Sequence, residues 1–104
     1  MIQYLYCVED SLSKMVMPPF SSPNDDVAKR DFVIGAIASN TPLQDLHLWR
    51  VGKFTSGLND GEMVYMQLDK DLQICDPTLS EVAEYSEQYY SILPSDKKEV
   101  NTNE

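Results

Sequence analysis

The chain has 104 residues, which is the size of one small domain and leaves no room for two full ones. With 42% hydrophobic and 24% charged residues, it has the composition of a folded domain rather than of a disordered or collagen-like chain. The chain has eight Lys and Arg and 17 Asp and Glu, so its net charge is -9. A molecule of this charge repels phosphate groups, which argues against a basic protein that binds nucleic acid or an anionic membrane with its whole surface.

Several site types are missing from the sequence. No apolar run approaches the roughly 18–20 residues of a membrane span, and the first residues lack the basic and apolar regions of a secretory signal. Cys7 and Cys75 lie far apart without a CxxC spacing, and His47 is the only histidine, so we expect free buried thiols and no metal site. Neither a glycine-rich phosphate loop nor a nucleophile–base pair is evident, so we expect no cofactor and no catalytic residues.

The first elements are predicted to be a strand and a short returning strand. Residues 2–8 alternate with strand periodicity, and both faces are mostly apolar, which predicts a strand buried on both sides or nearly so. Residues 9–11 would form the turn that follows. Residues 14–17 would return as a second strand, which the prolines Pro18 and Pro19 end.

A helix is predicted next, with Ser22 as its cap and Pro23 in its first turn. The carboxylates of Asp25 and Asp26 favour the positive end of the helix dipole. The apolar spacing carries the helix to about residue 38, with a largely buried second half. Asn40 would then provide a left-handed cap before a proline.

The middle of the chain predicts a β-hairpin. Residues 46–54 and 62–68 read as its strands, although neither face of the first strand is cleanly apolar. The loop between them holds Gly57 and Gly61, which we expect to take positive φ. Residues 72–75 are short and would form a further edge strand.

A second helix is predicted from Thr78, which with Glu81 has the spacing of a capping box, with Pro77 just inside the start. It would run to about residue 90 and use its tyrosines to pack on the sheet, although a partner-binding stripe is the alternative. Residues 94–104 are polar and predict a disordered tail. The predicted fold is therefore a single α+β domain over residues 1–93, in which a small antiparallel sheet packs on one central helix and a C-terminal helix follows.

The charge is unevenly distributed along the chain. Residues 1–54 hold five basic and six acidic residues and sum to -1, whereas residues 55–104 hold three basic and eleven acidic residues and sum to -8. In the nearly neutral half, a candidate single-stranded DNA site combines four cations with one aromatic ring: Lys29, Arg30, Arg50, Lys53 and Trp49. The structural alternatives are that Trp49 belongs to the core and that Arg30 pairs with Asp26 four residues earlier. The acidic runs at 59–62 and 69–71 read as solvated turns rather than as cation sites.

Three segments, taken together, resemble a known family. Residues 4–10 contain the pattern Y-x-V-x-D, residues 19–32 read P-F-x-x-x-N-D-x-x-A-x-R-x-F, and residues 46–54 end in a variant of L-x-x-L-G-x-F, with Val51 before Gly52 and Lys53 where Glu is common. In this order and at this separation, they resemble the small non-structural protein of gokushovirus-type microviruses, which are single-stranded DNA phages. The polar residues that match are Asn24, Asp25, Arg30 and Lys53.

The resemblance implies a non-catalytic protein of the host cytoplasm that assists viral DNA replication, or its switch to single-strand synthesis and packaging, through DNA binding. Its partner would be single-stranded DNA or a viral replication protein, with no membrane contact, and self-association is left open. The alternative hypothesis is an acidic adaptor or DNA mimic, in which the -8 half imitates a phosphate surface for a DNA-binding protein.

Overall fold

The computed structural model describes residues 2–55 and 66–94. Within these residues the chain forms one antiparallel sheet, two helices and a single turn of 3-10 helix at Leu43–Asp45. The strands are β1 (Ile2–Asp10), β2 (Met15–Val16), β3 (Phe20–Ser22), β4 (Leu46–Thr55) and β5 (Met66–Ile74), and the helices are α1 (Asp25–Ala38) and α2 (Leu79–Ser91). The predicted α+β class is confirmed, with β3 as a strand that the sequence did not indicate.

β1 pairs with three other strands of the sheet, β2, β3 and β4. The strand order is β2-β1-β4-β5, and β3 also pairs with β1, beside β2 on the same edge. In the β1–β4 register, Tyr6 lies opposite Arg50 and Val8 opposite Leu48. Directly opposed residues of antiparallel strands point to the same face, so these four side chains lie on one side of the sheet.

That side carries the core. Tyr6 and Leu48 are fully buried there, and α1 contributes side chains at helical spacing. The buried residues of α1 are Ala28, Phe32, Val33 and Ala36.

The opposite face of β1 is not covered by either helix. Leu5 and Cys7, which alternate with Tyr6 and Val8, are only partly buried. Full burial on both sides is therefore not reached, because both helices lie on one face of a single sheet, and the second face is only partly buried. Both cysteines are free thiols as predicted, but only Cys75 is buried, and Cys7 is partly exposed.

The start of α1 differs from the prediction. Asn24 is the N-cap, and its side-chain oxygen accepts a hydrogen bond from the backbone N–H of Val27 at 2.9 Å. Ser22 cannot cap the helix because it ends β3, where it is buried and donates its hydroxyl to the carbonyl of Asn24. The end of the helix at Ala38 and the left-handed Asn40, with φ 57°, agree with the prediction.

β4 and β5 approach closely where the ladder is irregular. Gly52 pairs with Leu5 on one side and Leu68 on the other, and the β4–β5 register shifts between Arg50 and Gly52. The short edge strand predicted at 72–75 is not separate, because residues 72–74 form the end of β5. The predicted loop glycines and the first residues of the strand predicted at 62–68 lie outside the described residues.

α2 begins as the sequence predicts, but packs elsewhere. Thr78 is its N-cap and forms the complete capping box with Glu81, whereas Pro77 precedes the cap instead of following it. The helix packs chiefly against α1 rather than against the sheet, which corrects the predicted role of its tyrosines. Tyr85 is buried, and its hydroxyl donates to the carbonyl of Asp26 at 3.5 Å. The predicted tail beyond Pro94 lies outside the described residues.

Candidate binding site

Arg50, one of the predicted DNA contacts, is held by carboxylates. Its Nη1 atom lies 3.2 Å from Oδ2 of Asp25, at the start of α1, and its Nε atom lies 3.9 Å from Oδ2 of Asp69 on β5. The guanidinium also lies 5.5 Å from the centre of the Tyr4 ring, in the range of a cation–π contact. The cation is thus paired within the fold, with its side chain 30% exposed.

The same aspartate also fixes Tyr6. The Tyr6 hydroxyl donates to Oδ1 of Asp25 at 2.6 Å. Burial, together with this hydrogen bond, raises the pKa of Tyr6 far above its ordinary value. Asp25 therefore joins the start of α1 to β1 and β4, and this contact explains its position better than the helix dipole alone.

Lys29 and Arg30 are neighbours in α1 but point to different surroundings. Lys29 pairs with Glu81 across the two helices, with 3.4 Å between Nζ and Oε2. Arg30 is 44% exposed, and its Nε donates to Asp31 at 3.2 Å. The pairing of Arg30 with Asp26 does not occur in the described part of the chain.

Lys53, like Arg30, is an exposed member of the predicted cation set. It is exposed on β4, opposite Tyr4 on one side and Gln67 on the other. No ion pair joins it to another residue within 2–55 or 66–94. Because Tyr4 and Tyr6 share a face of β1, the register places Lys53 on the same face as Arg50.

Trp49 lies on the opposite face. It pairs with Cys7 and Ile74, and its indole N–H donates to Oε1 of Glu9 at 2.9 Å. Trp49 is partly exposed on the side away from the core, so the alternative of a core tryptophan is wrong. The structure brings Arg50 and Lys53 to one face, sets Trp49 on the other, and leaves Lys29 and Arg30 on α1.

The register defines an apolar surface around Trp49. Side chains of three neighbouring strands lie on the sheet face that the helices leave uncovered, and Leu68 and Ile74 are 69% and 63% exposed. We call this surface the open face; its apolar members are Leu5, Cys7, Trp49, Phe54, Leu68 and Ile74. The sequence showed the apolar alternation of β1, but burial on both sides was the simpler explanation of it.

His47 and Asp76 form a pair at one end of the open face. His47 Nδ1 lies 2.9 Å from Oδ2 of Asp76, whose Oδ1 accepts from the backbone N–H of Leu48 at 2.7 Å. The hydrogen bond to Asp76 raises the pKa of His47. Asp76 thereby ties β4 to the segment that starts α2.

The two cysteine thiols are poor candidates for nucleophiles. Burial raises the pKa of both Cys7 and Cys75, so both are protonated at neutral pH. In the described part of the chain, no group of three or more His, Cys, Asp or Glu side chains is arranged to hold a metal ion. Neither helix is long and apolar enough to cross a membrane.

The comparison with protein families gives one match. A family model described as Phage ORF5 protein matches residues 3–78. The chain belongs to this phage protein family. The matched range contains the whole of β4 with Trp49, Arg50 and Lys53, and it ends at Thr78, the cap of α2. No curated protein and no solved structure matches the chain.

Membership of the Phage ORF5 family confirms the phage part of the resemblance. The narrower likeness to gokushovirus-type microviruses stays a prediction. The sequence indicates the cations of the candidate site but not the carboxylates that form ion pairs with them. Asp25 was singled out by its position in the motif of residues 19–32. Asp69 and Glu81 lie far along the chain from their partners Arg50 and Lys29, so no local pattern connects them.

Proposed function

We propose that this phage protein is a non-catalytic accessory of viral DNA replication, or of its switch to single-strand synthesis and packaging, and that it acts as an acidic adaptor. The phage family supports its viral setting, and the resemblance to microvirus proteins supports its place in replication. Its partner would be a DNA-binding protein of the virus or of the host cell, and its place of action would be the host cytoplasm.

The pairing of the cations supports the adaptor over direct DNA binding. Lys29, Arg30 and Arg50 each lie within 3.4 Å of a carboxylate oxygen, so phosphate groups would have to displace ligands already present. Counterion release, which drives most DNA affinity, needs cations that can neutralise phosphates. Three of the four predicted cations already have a carboxylate partner in the folded chain, which lowers the gain from a phosphate contact.

The outer surface of α2 offers carboxylates to a basic partner. Glu84 and Glu87 are exposed and three residues apart, so they lie on one face of the helix, beside Gln88. They belong to the half of the chain that sums to -8. Such a surface attracts a basic protein over several ångströms and speeds its association.

The experiment is a capture from infected cells with the tagged full chain, after nuclease treatment. We expect a DNA-binding protein of the virus or host to be retained, and its retention to fall at least fivefold in the double variant Glu84→Gln, Glu87→Gln. Gln88→Ala, on the same face but without a charge change, is the matched control. Equal retention by all three chains, or loss of the partner on nuclease treatment, would contradict the adaptor.

Direct binding of single-stranded DNA is the second candidate, favoured by one observation. Trp49 and Phe54 are aromatic side chains on the open face, and aromatic rings on a sheet surface can stack on unpaired bases. Lys53 lies in the same strand but on the other face of the sheet, so a phosphate could reach it only around the sheet edge.

A titration of labelled single-stranded DNA at about 20 and about 200 mM salt tests this second mode. Binding at low salt that weakens at high salt and falls in Lys53→Gln would favour it. Lys70→Gln is the control, because Lys70 is also exposed but was not assigned to the site. Absence of binding at low salt would contradict direct DNA binding and leave the adaptor as the remaining candidate.

A further inference from the structure

The open face exposes apolar side chains from one edge of the sheet to the other. Leu68 and Ile74 on β5 are 69% and 63% exposed at one edge. At the other edge Val16 on β2 lies opposite Glu9, which places it on the open face, and it is 63% exposed. Trp49, between the edges, is partly exposed. The outer face of an antiparallel sheet that borders water is normally polar, so an apolar outer face indicates a further layer packed on it.

The middle of the open face is uncharged. Three successive opposed pairs of β1 and β4 lie there, namely Gln3 with Phe54, Leu5 with Gly52, and Cys7 with Trp49. Glu9 and His47 form the next pair on this face, at one end of it, and they already bind Trp49 and Asp76. Phosphate groups are held by cations, so this uncharged centre favours an apolar occupant over a nucleic acid.

The open face is large enough for a specific interface. β1, β4 and β5 are nine, ten and nine residues long, and β2 and β3 add a shorter position beside β1. With a rise of roughly 3.3 Å per residue and roughly 4.8 Å between strands, the flat area is roughly 500 Å² per copy. Side chains that stand on the sheet add accessible area to this figure. The total from two such faces therefore exceeds the total of about 1,000 Å² that a specific interface needs.

We propose that two copies of this chain pack their open faces against each other in a two-fold symmetric dimer. In such a dimer the same patch meets itself, which suits an apolar, uncharged centre because no charge there meets its own copy. The two sheets also have the same twist, so they can stack about 10 Å apart in the aligned packing of two-sheet proteins. The dimer is then a sandwich of two sheets with helices on both outer sides.

This dimer goes beyond the adaptor function and does not depend on it. α1 packs on the other side of the sheet, and α2 packs chiefly on α1, so the acidic surface of Glu84 and Glu87 stays accessible in each copy. The dimer presents two such surfaces to a partner. It also covers Trp49 and Phe54, which removes them from the DNA-binding mode considered as the second candidate.

Sedimentation velocity on the full chain between about 5 and 500 μM tests the dimer. We expect a shift from monomer to dimer as the concentration rises. Trp49 is the single tryptophan of the chain, so its fluorescence reports on the open face alone. Its emission maximum should move to shorter wavelength over the same concentrations, because the second copy removes water from the indole ring.

Two variants place a charge on the open face. Leu68→Lys and Ile74→Lys should each weaken dimerisation at least tenfold, because each buries an ammonium group between the sheets. Both side chains are mostly exposed in the single copy, so the fold should tolerate the changes. Leu79→Lys is the matched control: Leu79 is 90% exposed on α2, and the change of net charge is the same. This control should dimerise like the wild type.

The far-ultraviolet circular dichroism of each variant should match that of the wild type. A wild type that is monomeric throughout the range would overturn the proposal. So would a dimer that forms without a change in Trp49 emission, or one that both Leu68→Lys and Ile74→Lys leave intact, since the copies would then meet through another surface. A monomer whose Trp49 emission is quenched by a single-stranded oligonucleotide would also overturn it and assign the open face to DNA.

Discussion

Gly52 shows at the scale of one residue why a glycine stands at this point of β4. A Cβ atom at this position would collide with the backbone carbonyl of Gln67 and would lie 3.1 Å from Cα of Leu68. Both obstacles are backbone atoms of β5, so no side-chain rotation relieves them. The glycine is required by close approach of two strands rather than by an unusual φ angle.

We therefore expect Gly52→Ala to lower the free energy of unfolding by about 2 kcal/mol or more. Gly35→Ala is the control, because nothing obstructs a side chain there and alanine favours a helix over glycine by about 0.5–1 kcal/mol. Urea unfolding followed by circular dichroism measures both. Similar effects from the two substitutions would show that β5 yields at this contact.

His47 provides a pH-dependent contribution to stability. Asp76 raises its pKa above the value of about 6.5 in the unfolded chain, so the folded state binds the proton more tightly. The contribution of the pair is then complete below that value and is lost as the pH rises through the folded-state pKa. Because both side chains are more than a third exposed, we expect less than about 1 kcal/mol.

Unfolding between pH 6 and pH 9 measures this loss. Asp76→Asn is the informative variant, because its amide oxygen can still accept from Leu48 while the charge is removed. The decline in stability across this range should be smaller in the variant. An identical pH profile in both chains would assign the decline to other groups.

Each helix begins at a capping residue, and the sequence predicts the cap of α2 correctly but not that of α1. Thr78 and Glu81 form the predicted capping box because both partners lie within one turn of each other. Ser22 and Asn24 both suit a cap by residue type, and only the pairing of β3 with β1 withdraws Ser22 from that role. Local chemistry therefore fixed the start of α2, and long-range strand pairing fixed the start of α1.

Thr78→Ala should lower the free energy of unfolding by about 1 kcal/mol, because the backbone N–H of Glu81 loses its acceptor. Thr78→Ser retains a hydroxyl and should have little effect. Equilibrium unfolding in urea distinguishes them. Equal losses in both variants would mean that the threonine methyl group, rather than the cap, stabilises the helix.

At the scale of the whole molecule, the net charge of -9 opposes folding through self-repulsion. The ion pairs of the described residues are partly exposed and each therefore contributes little to stability, so their screening by added salt costs less than the general repulsion that the salt also screens. We expect the midpoint of thermal unfolding to rise between about 20 and about 300 mM sodium chloride.

The double variant Glu84→Gln, Glu87→Gln should show a smaller rise, because it carries two fewer negative charges. Differential scanning calorimetry of both chains at each salt concentration provides the comparison. A midpoint that falls with salt would mean that the ion pairs outweigh the repulsion.

The sequence by itself determined the α+β class, the end of α1, the start of α2 and the uneven charge, because each depends on composition or on residues within a turn of one another. Tertiary structure alone decided which face of β1 is covered, which carboxylates hold Lys29 and Arg50, and that Trp49 lies on the open face. These outcomes follow from strand register and from contacts such as Lys29 with Glu81, 52 residues apart, whose pairing no local pattern encodes.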